Sequence, residues 1–403
     1  MEQRARHWWL VALTVLVALV AAACGDDGDD QAQTDQTSTT VEEGSSTSAP
    51  AVTVDGCGED AYTDQADRSS SRPIARCEPG APAPQPLSER ITIKLAAATK
   101  GEYLAPVLLG IARGEFEKEN LEIELIQLPF ADAVAQMGQG GIDAAHGGPF
   151  AAFVNGVASG SDIKWVMGNY SPPDGGDLSV PQSGLWVRRD AFSNPDDPDL
   201  SELKEKSLRV ANSAGAGTSA IYWLERAFAE AGISYGDVNM QVVPPADQVA
   251  AMQNEAVHGA FLLDPFWRQA AADPETFALV AVQPREPNGG IFFGPNLTQK
   301  NPEAGVAFAR AYIRTINTYL DGNYKQDAEL MADLAEAIGG VEPAALTQGT
   351  PLVFEWELRE GVMDELQPLY IKYGSVTGTS TPLPESQLVD RSFYAKAVGA
   401  TEN

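Results

Sequence analysis

The sequence predicts an α/β protein of two lobes, each a mostly parallel sheet with flanking helices, followed by a helical tail. Three observations carry this. From Ile91 onward, short apolar stretches that alternate every second residue take turns with longer stretches of helical period. The same rhythm restarts after Ser183. Beyond about residue 290 the pattern turns helical, broken only by Pro and Gly. A β-α-β-α order needs crossover helices on both faces of a parallel sheet.

In the first unit, Ile91–Ala96 reads as a strand, and 105–118 as a helix with Val107, Leu108, Ile111 and Phe116 on one side. Leu121, Ile123 and Leu125 alternate with Glu122 and Glu124 in a strand over 121–128. A helix near 131–139, a strand at 142–145, a helix near 150–159 and a strand at 163–167 follow. The second unit has strands at 184–188, 208–211, 238–243 and 259–263, with helices at 218–231 and 246–256. Tail helices are predicted at 302–321, 324–338 and 357–373, packed back on the first lobe.

The 403 residues suffice for two domains, and an apolar fraction of 44% allows a packed core. The 27 basic and 56 acidic side chains leave a net charge of −29. That balance argues against phosphate-backbone binding and against docking on an anionic membrane by charge. Three cysteines and three histidines are too few for zinc-ribbon chemistry, so no metal is expected.

Arg4 and Arg6 precede an apolar run from Trp8 to Ala23, interrupted only by Thr14. At 16 residues it is short of a spanning helix, and it reads as an export signal over 1–23. The ending Val20-Ala21-Ala22-Ala23-Cys24 resembles a bacterial lipobox, although Ala21 stands where Leu or Val is usual. Lipidation of Cys24 would tether the protein to the outer face of the cell membrane. Residues 24–88 read as a disordered linker, with ten acidic and no basic residues between Gly25 and Asp60. Cys57 and Cys77 lie in it, and in an oxidising compartment they are expected to pair, closing a loop worth up to roughly 3 kcal/mol.

Several segments of the folded part match, in order, a known pattern. Gly114-Glu115-Phe116 through Leu121–Leu125, Gly140 with Ile142-Asp143, Leu203–Lys206 before a strand, Ala256–Ala260, and Asp264-Pro265-Phe266-Trp267 resemble the substrate-binding proteins of bacterial ABC importers for sulfonate, nitrate, taurine and thiamine precursors. The resemblance covers about 91–375 and implies a type II periplasmic-binding fold with two hinge strands. Lobe one would be 89–184 and 285–403, and lobe two 185–284. It also implies a small anionic or zwitterionic ligand, no cofactor, a monomer, and delivery to a membrane permease with its cytoplasmic ATPase.

Ligands of open α/β sheets sit beyond the carboxyl ends of the strands. The candidate ligand-binding residues are therefore Thr99, Glu102, Tyr103, His146, Gly147, Asn169, Tyr170, Gly215, Gly217, Thr218, Ser219, Asp264, Phe266 and Trp267. Glu102 or Asp264 is expected to meet a ligand amine, and the aromatic residues to cover an apolar or cationic part. The start of helix 218–231 is expected to hold the ligand's anionic group, with capping by Thr218 or Ser219 as the competing role.

Gly215-Ala216-Gly217-Thr218-Ser219-Ala220 also has the spacing of a dinucleotide fingerprint, but the strand that should end in an acid ends in Pro244-Pro245. No catalytic residue is expected. The alternative is an enzyme of thiamine-pyrimidine or menaquinone type with His146 as base. A third possibility is a subunit that reports ligand occupancy to a membrane receptor.

Overall fold

The computed structural model describes residues 82–171, 177–213, 215–283, 289–348 and 351–399. The signal segment, Cys24, residues 25–81 of the expected linker and the Cys57–Cys77 pair lie outside them; residues 82–88, read as linker, are described, and Pro82 and Gln85 are bound to Arg314, Arg310 and Glu119.

Twelve named strands occur among the described residues. They are β1 (Ile91–Ala97), β2 (Leu121–Gln127), β3 (Ala144–Gly147), β4 (Lys164–Gly168), β5 (Tyr170–Ser171), β6 (Gly184–Arg188), β7 (Arg209–Asn212), β8 (Asn239–Val242), β9 (Gly259–Leu262), β10 (Phe277–Val282), β11 (Gly290–Phe293) and β12 (Val353–Phe354). Five form one sheet in the order β2-β1-β3-β11-β4, and five form a second in the order β10-β6-β9-β7-β8. β5 and β12 make a two-stranded ribbon.

Each large sheet contains one strand that runs against the other four. In the first it is β11, antiparallel to β3 and β4. In the second it is β6, antiparallel to β9 and β10. Both are the strands by which the chain enters a sheet from the other one. An entering strand arrives from the facing edge and so runs opposite to strands fed by crossover helices. The two crossings meet where the Gln283 N–H donates to the Ser183 carbonyl at 3.1 Å.

Several element boundaries differ from the sequence reading. The first helix spans Ala105–Ala112 and does not reach 118, because Gly114 turns the chain with a left-handed φ of +70°. The short strand lies at Ala144–Gly147, which puts His146 and Gly147 inside β3. β10 and β11 occupy a stretch where no strand was expected. In the tail, Pro302–Tyr319 packs on Ala105–Ala112 as anticipated. Val362–Lys372, in contrast, bridges to the second sheet's helix Ala220–Glu230. There Tyr222 donates to Glu365 at 2.8 Å, and Lys372 donates to Glu225 at 2.9 Å.

The chain enters the first sheet through a buried clasp. Glu115, Glu119, Arg310 and Arg314 are all at most 5% exposed. Arg310 and Arg314, one turn apart on one helix, bind Glu119 at 3.0 and 2.8 Å, and Arg314 also binds Glu115 at 2.8 Å. Their remaining N–H groups donate to the carbonyls of Gln85 and Pro82 at 3.1 Å each. The Gln85 N–H donates back to Glu119. Every buried charge therefore has a partner, the condition for such a cluster to be tolerated.

Candidate functional site: the edge between the two sheets

β1, β3 and β4 run the same way, so their carboxyl ends lie on one edge of the first sheet. Thr99–Tyr103, His146-Gly147 and Asn169 sit at that edge. β7, β8 and β9 do the same in the second sheet, presenting Gly215–Ser219 and Asp264–Trp267. The two edges approach each other at two places, and the chemistry there differs.

At the first place the charges are matched within the chain. Glu102 is 4% exposed. Its carboxylate accepts from the Tyr324 hydroxyl at 2.5 Å and from Lys325 Nζ at 2.8 Å. Burial pushes its pKa up, against the opposing pull of Lys325. From the other sheet Arg268 reaches to 3.8 Å of Glu102, binds Asp264 at 2.8 Å and donates to the Gln348 carbonyl at 2.7 Å. The Trp267 indole N–H donates to Asp264 at 3.1 Å, and the Arg268 guanidinium lies over the Trp267 ring. Glu102 and Asp264, expected to meet a ligand amine, both already pair with the chain's own cations. Trp267 packs in the second sheet's apolar core and Tyr170 in the first sheet's. Phe266 is half-buried.

At the second place two helix starts face each other. Ala151–Ala158 follows β3, and Ala220–Glu230 follows β7. A Cβ placed on Gly217 would lie 3.7 Å from the Ala151 Cβ and 3.8 Å from Ser375. The loop turns at Gly215, φ +63°, and the Asn212 amide donates to the Gly215 carbonyl at 2.8 Å. Neither helix has a side-chain cap. Ser219 therefore does not play the capping role. Three tail helices are treated differently: Asn301 caps Pro302–Tyr319, Asp327 caps Ala328–Ile338, and Glu385 accepts from Gly361 and Met363 at the start of Val362–Lys372. Thr218 is 7% exposed, and its hydroxyl has no hydrogen-bond partner. The Ile221 and Tyr222 N–H groups donate to the Thr218 and Ser219 carbonyls at 3.1 and 3.0 Å, so what stands open at this helix start is the buried Thr218 hydroxyl beside the positive end of the helix dipole.

Between these places lies a polar cluster on the first edge. Asn169, fully buried, donates to the Tyr103 carbonyl at 2.8 Å and contacts His146 Nε2 at 2.7 Å. The His146 and Tyr103 rings are 5.2 Å apart. Tyr103 donates to the Thr99 carbonyl at 2.7 Å, and the Thr99 hydroxyl then donates to Tyr103 Oη at 2.6 Å. Burial lowers the His146 pKa to about 4, so its ring is neutral at pH 7 and a poor base. Gly147 has a packing reason: a Cβ there would strike the Phe130 ring. Sequence reasoning missed Lys325, Arg268 and Tyr312, whose only local signal is a charged or hydroxyl side chain on a helix.

A cavity of about 470 Å³ lies elsewhere, against β10, lined by Leu178, Trp186, Phe277 and Leu279 among others. Among the described residues no group of three or more His, Cys, Asp or Glu side chains is placed to hold a metal, and no helix is long and apolar enough to cross a membrane.

The fold is that of type II periplasmic binding proteins. The sulfonate-binding protein SsuA of Escherichia coli matches with a TM-score of 0.55 at 17% identity, covering 76% of this chain and 99% of that one. The nitrate-binding protein NrtA of Synechocystis matches with a TM-score of 0.56 at 17% identity, covering 77% and 88%. The alkanesulfonate-binding SsuA of Xanthomonas axonopodis, bound to MOPS, matches at 0.53 and 17%, covering 77% and 99%. No curated protein matches the sequence. The NMT1-like family model matches residues 92–338, which takes in both sheets and the facing helix starts, and the chain belongs to the NMT1-like family.

Proposed function

We propose that this chain is the extracytoplasmic solute-binding component of an ABC importer, and that it takes a small organic anion between two lobes, 89–184 with 285–403 and 185–284. The observation that supports it best is the pair of uncapped helix starts facing each other, with the buried Thr218 hydroxyl unpaired between strand and helix. Helix starts of this kind bind sulfonate-like and carboxylate-like groups through backbone N–H and dipole. Solute-binding neighbours of sulfonate and nitrate type share the fold. Glu102 and Asp264 are already matched by Lys325 and Arg268, which favours an anion over a zwitterion.

In this reading Cys24 carries a lipid, the mature protein is held at the outer membrane face, and closed lobes dock on a permease. Replacing Cys24 with Ala should then release the protein from the membrane fraction. His146 as a catalytic base is disfavoured by its lowered pKa and by the contact its Nε2 already makes.

Calorimetry with ethanesulfonate, taurine and nitrate tests the ligand class. Ethanesulfonate should bind more tightly than taurine. Gly217→Ala should bind like the native chain, because its Cβ meets only ordinary contacts. Gly217→Val adds two further methyl groups beside Ala151 and Ser375 and should weaken binding by about tenfold or more, in line with overpacking costs of ~1–3 kcal/mol. Equal affinity in both variants would place the ligand elsewhere.

A further inference from the structure

The orientation of Asn169 is decided by its surroundings. The amide atom 2.8 Å from the Tyr103 carbonyl has to be Nδ2, since two oxygens do not hydrogen-bond without a proton. The other amide atom, Oδ1, then faces the Tyr312 hydroxyl at 3.1 Å, which donates to it and to the Gly168 carbonyl. Tyr312 is fully buried on helix Pro302–Tyr319 and so holds this geometry rigidly. The Asn169 Nδ2 that remains, 2.7 Å from His146 Nε2, can only donate, so Nε2 accepts. A neutral ring that accepts at Nε2 carries its proton on Nδ1.

We propose that Tyr312 and Asn169 act as a positioning relay that fixes His146 in the Nδ1–H tautomer, and that this N–H is the first lobe's donor to the bound anion. The donor half rests on the anion reading above; the tautomer half does not. His146 stands at the carboxyl end of β3, five residues before the helix start that faces Gly217. The groups on the ring are the Tyr103 aromatic face and the Asn169 amide, with Tyr312 behind the amide. Burial alone depresses its pKa, with no carboxylate or cation contributing. A donor that stays neutral gives the same hydrogen bond across the physiological range. A charged one would instead tie affinity to pH.

His258 supplies an internal reference. Its Nδ1 accepts the Arg209 N–H at 3.0 Å, so its neutral form is the opposite tautomer, with the proton on Nε2. Two-bond ¹H–¹⁵N correlations on the ¹⁵N-labelled full chain, assigned with His258→Gln, read each ring nitrogen. The expected result is protonated Nδ1 in His146 and protonated Nε2 in His258, with His146 unchanged from pH 8 to 5.5. In Asn169→Ala, or in Tyr312→Phe should the first variant not fold, His146 should lose its single tautomer.

Protonated Nε2 in native His146, or a mixture of tautomers, overturns the relay. For the donor role the probe is ethanesulfonate: His146→Ala should lose about tenfold in affinity, and His146→Asn, whose amide N–H falls near the position of Nδ1, should recover most of it. Equal affinity in the native chain and His146→Ala overturns the donor role. Failure of the native chain to bind ethanesulfonate overturns the sulfonate reading instead, and leaves the tautomer result to stand by itself.

Discussion

Glu102 and Thr218 are both buried polar groups where the two sheets approach, yet they are provided for in opposite ways. Glu102 has Lys325, Tyr324 and, at longer range, Arg268. Thr218 has nothing, and the helix beside it is left without a side-chain cap. Burial makes an unpaired group costly, so a native chain normally satisfies it from within. Where it does so, the group belongs to the structure. This contrast places the acidic candidates in ion pairs between the two edges and is the ground for proposing the helix start as the binding element.

The comparison breaks most visibly at Lys325. Lys325→Met leaves the buried Glu102 carboxylate with the Tyr324 hydroxyl and only the more distant Arg268, and should destabilise the chain by ~3–5 kcal/mol in urea denaturation at pH 7. Adding Glu102→Gln should restore much of the loss; no restoration would mean that the lysine acts through packing.

A smaller effect belongs to His146. Its folded pKa, about 4, lies below the ordinary histidine value, so the unfolded chain binds the proton more readily between them. The stability held by a neutral His146 is complete above about pH 6.5 and is lost as pH falls towards 4, at up to roughly 1.4 kcal/mol per unit. The native chain minus His146→Asn, measured at each pH, isolates that slope from the carboxylates.

The smallest change sharpens the contrast. Thr218→Val keeps the shape and removes the unpaired hydroxyl. Stability should hold or rise by up to about 1 kcal/mol while ethanesulfonate affinity falls. A loss of both would show that the hydroxyl serves the fold.

Much of this architecture was legible because it is written locally. The alternation at Leu121–Leu125 and the helical period before Phe228 depend on neighbouring residues alone. β11 was not legible: Gly290–Phe293 is an apolar stretch with no period of its own, and it becomes a strand because β3 and β4, far back in the chain, leave a gap between them. The same holds for the site. Gly215–Ser219 announced itself by composition at a strand-to-helix turn. The partners of Glu102 and Asn169 arrive from residues 268, 312, 324 and 325, which no spacing rule connects to them.

The clasp around Pro82–Gln85 has a mechanical consequence. It grips the chain where β1 begins, while the binding edge lies where β1 ends, so the sheet stands between the two. A pull on the chain from its N-terminal side loads the four buried charges of Glu115, Glu119, Arg310 and Arg314 before it loads anything near Thr218. Drawing the carbonyls of Pro82 and Gln85 away would take one acceptor from each of two buried guanidinium groups, which keep only their glutamate partners, a barrier over a short distance. The edge near Thr218 is thereby insulated from tension on the N-terminal side of the chain. In a single-molecule pulling experiment from residue 25, Arg314→Met should lower the force at which the first segment peels off and leave ethanesulfonate affinity unchanged.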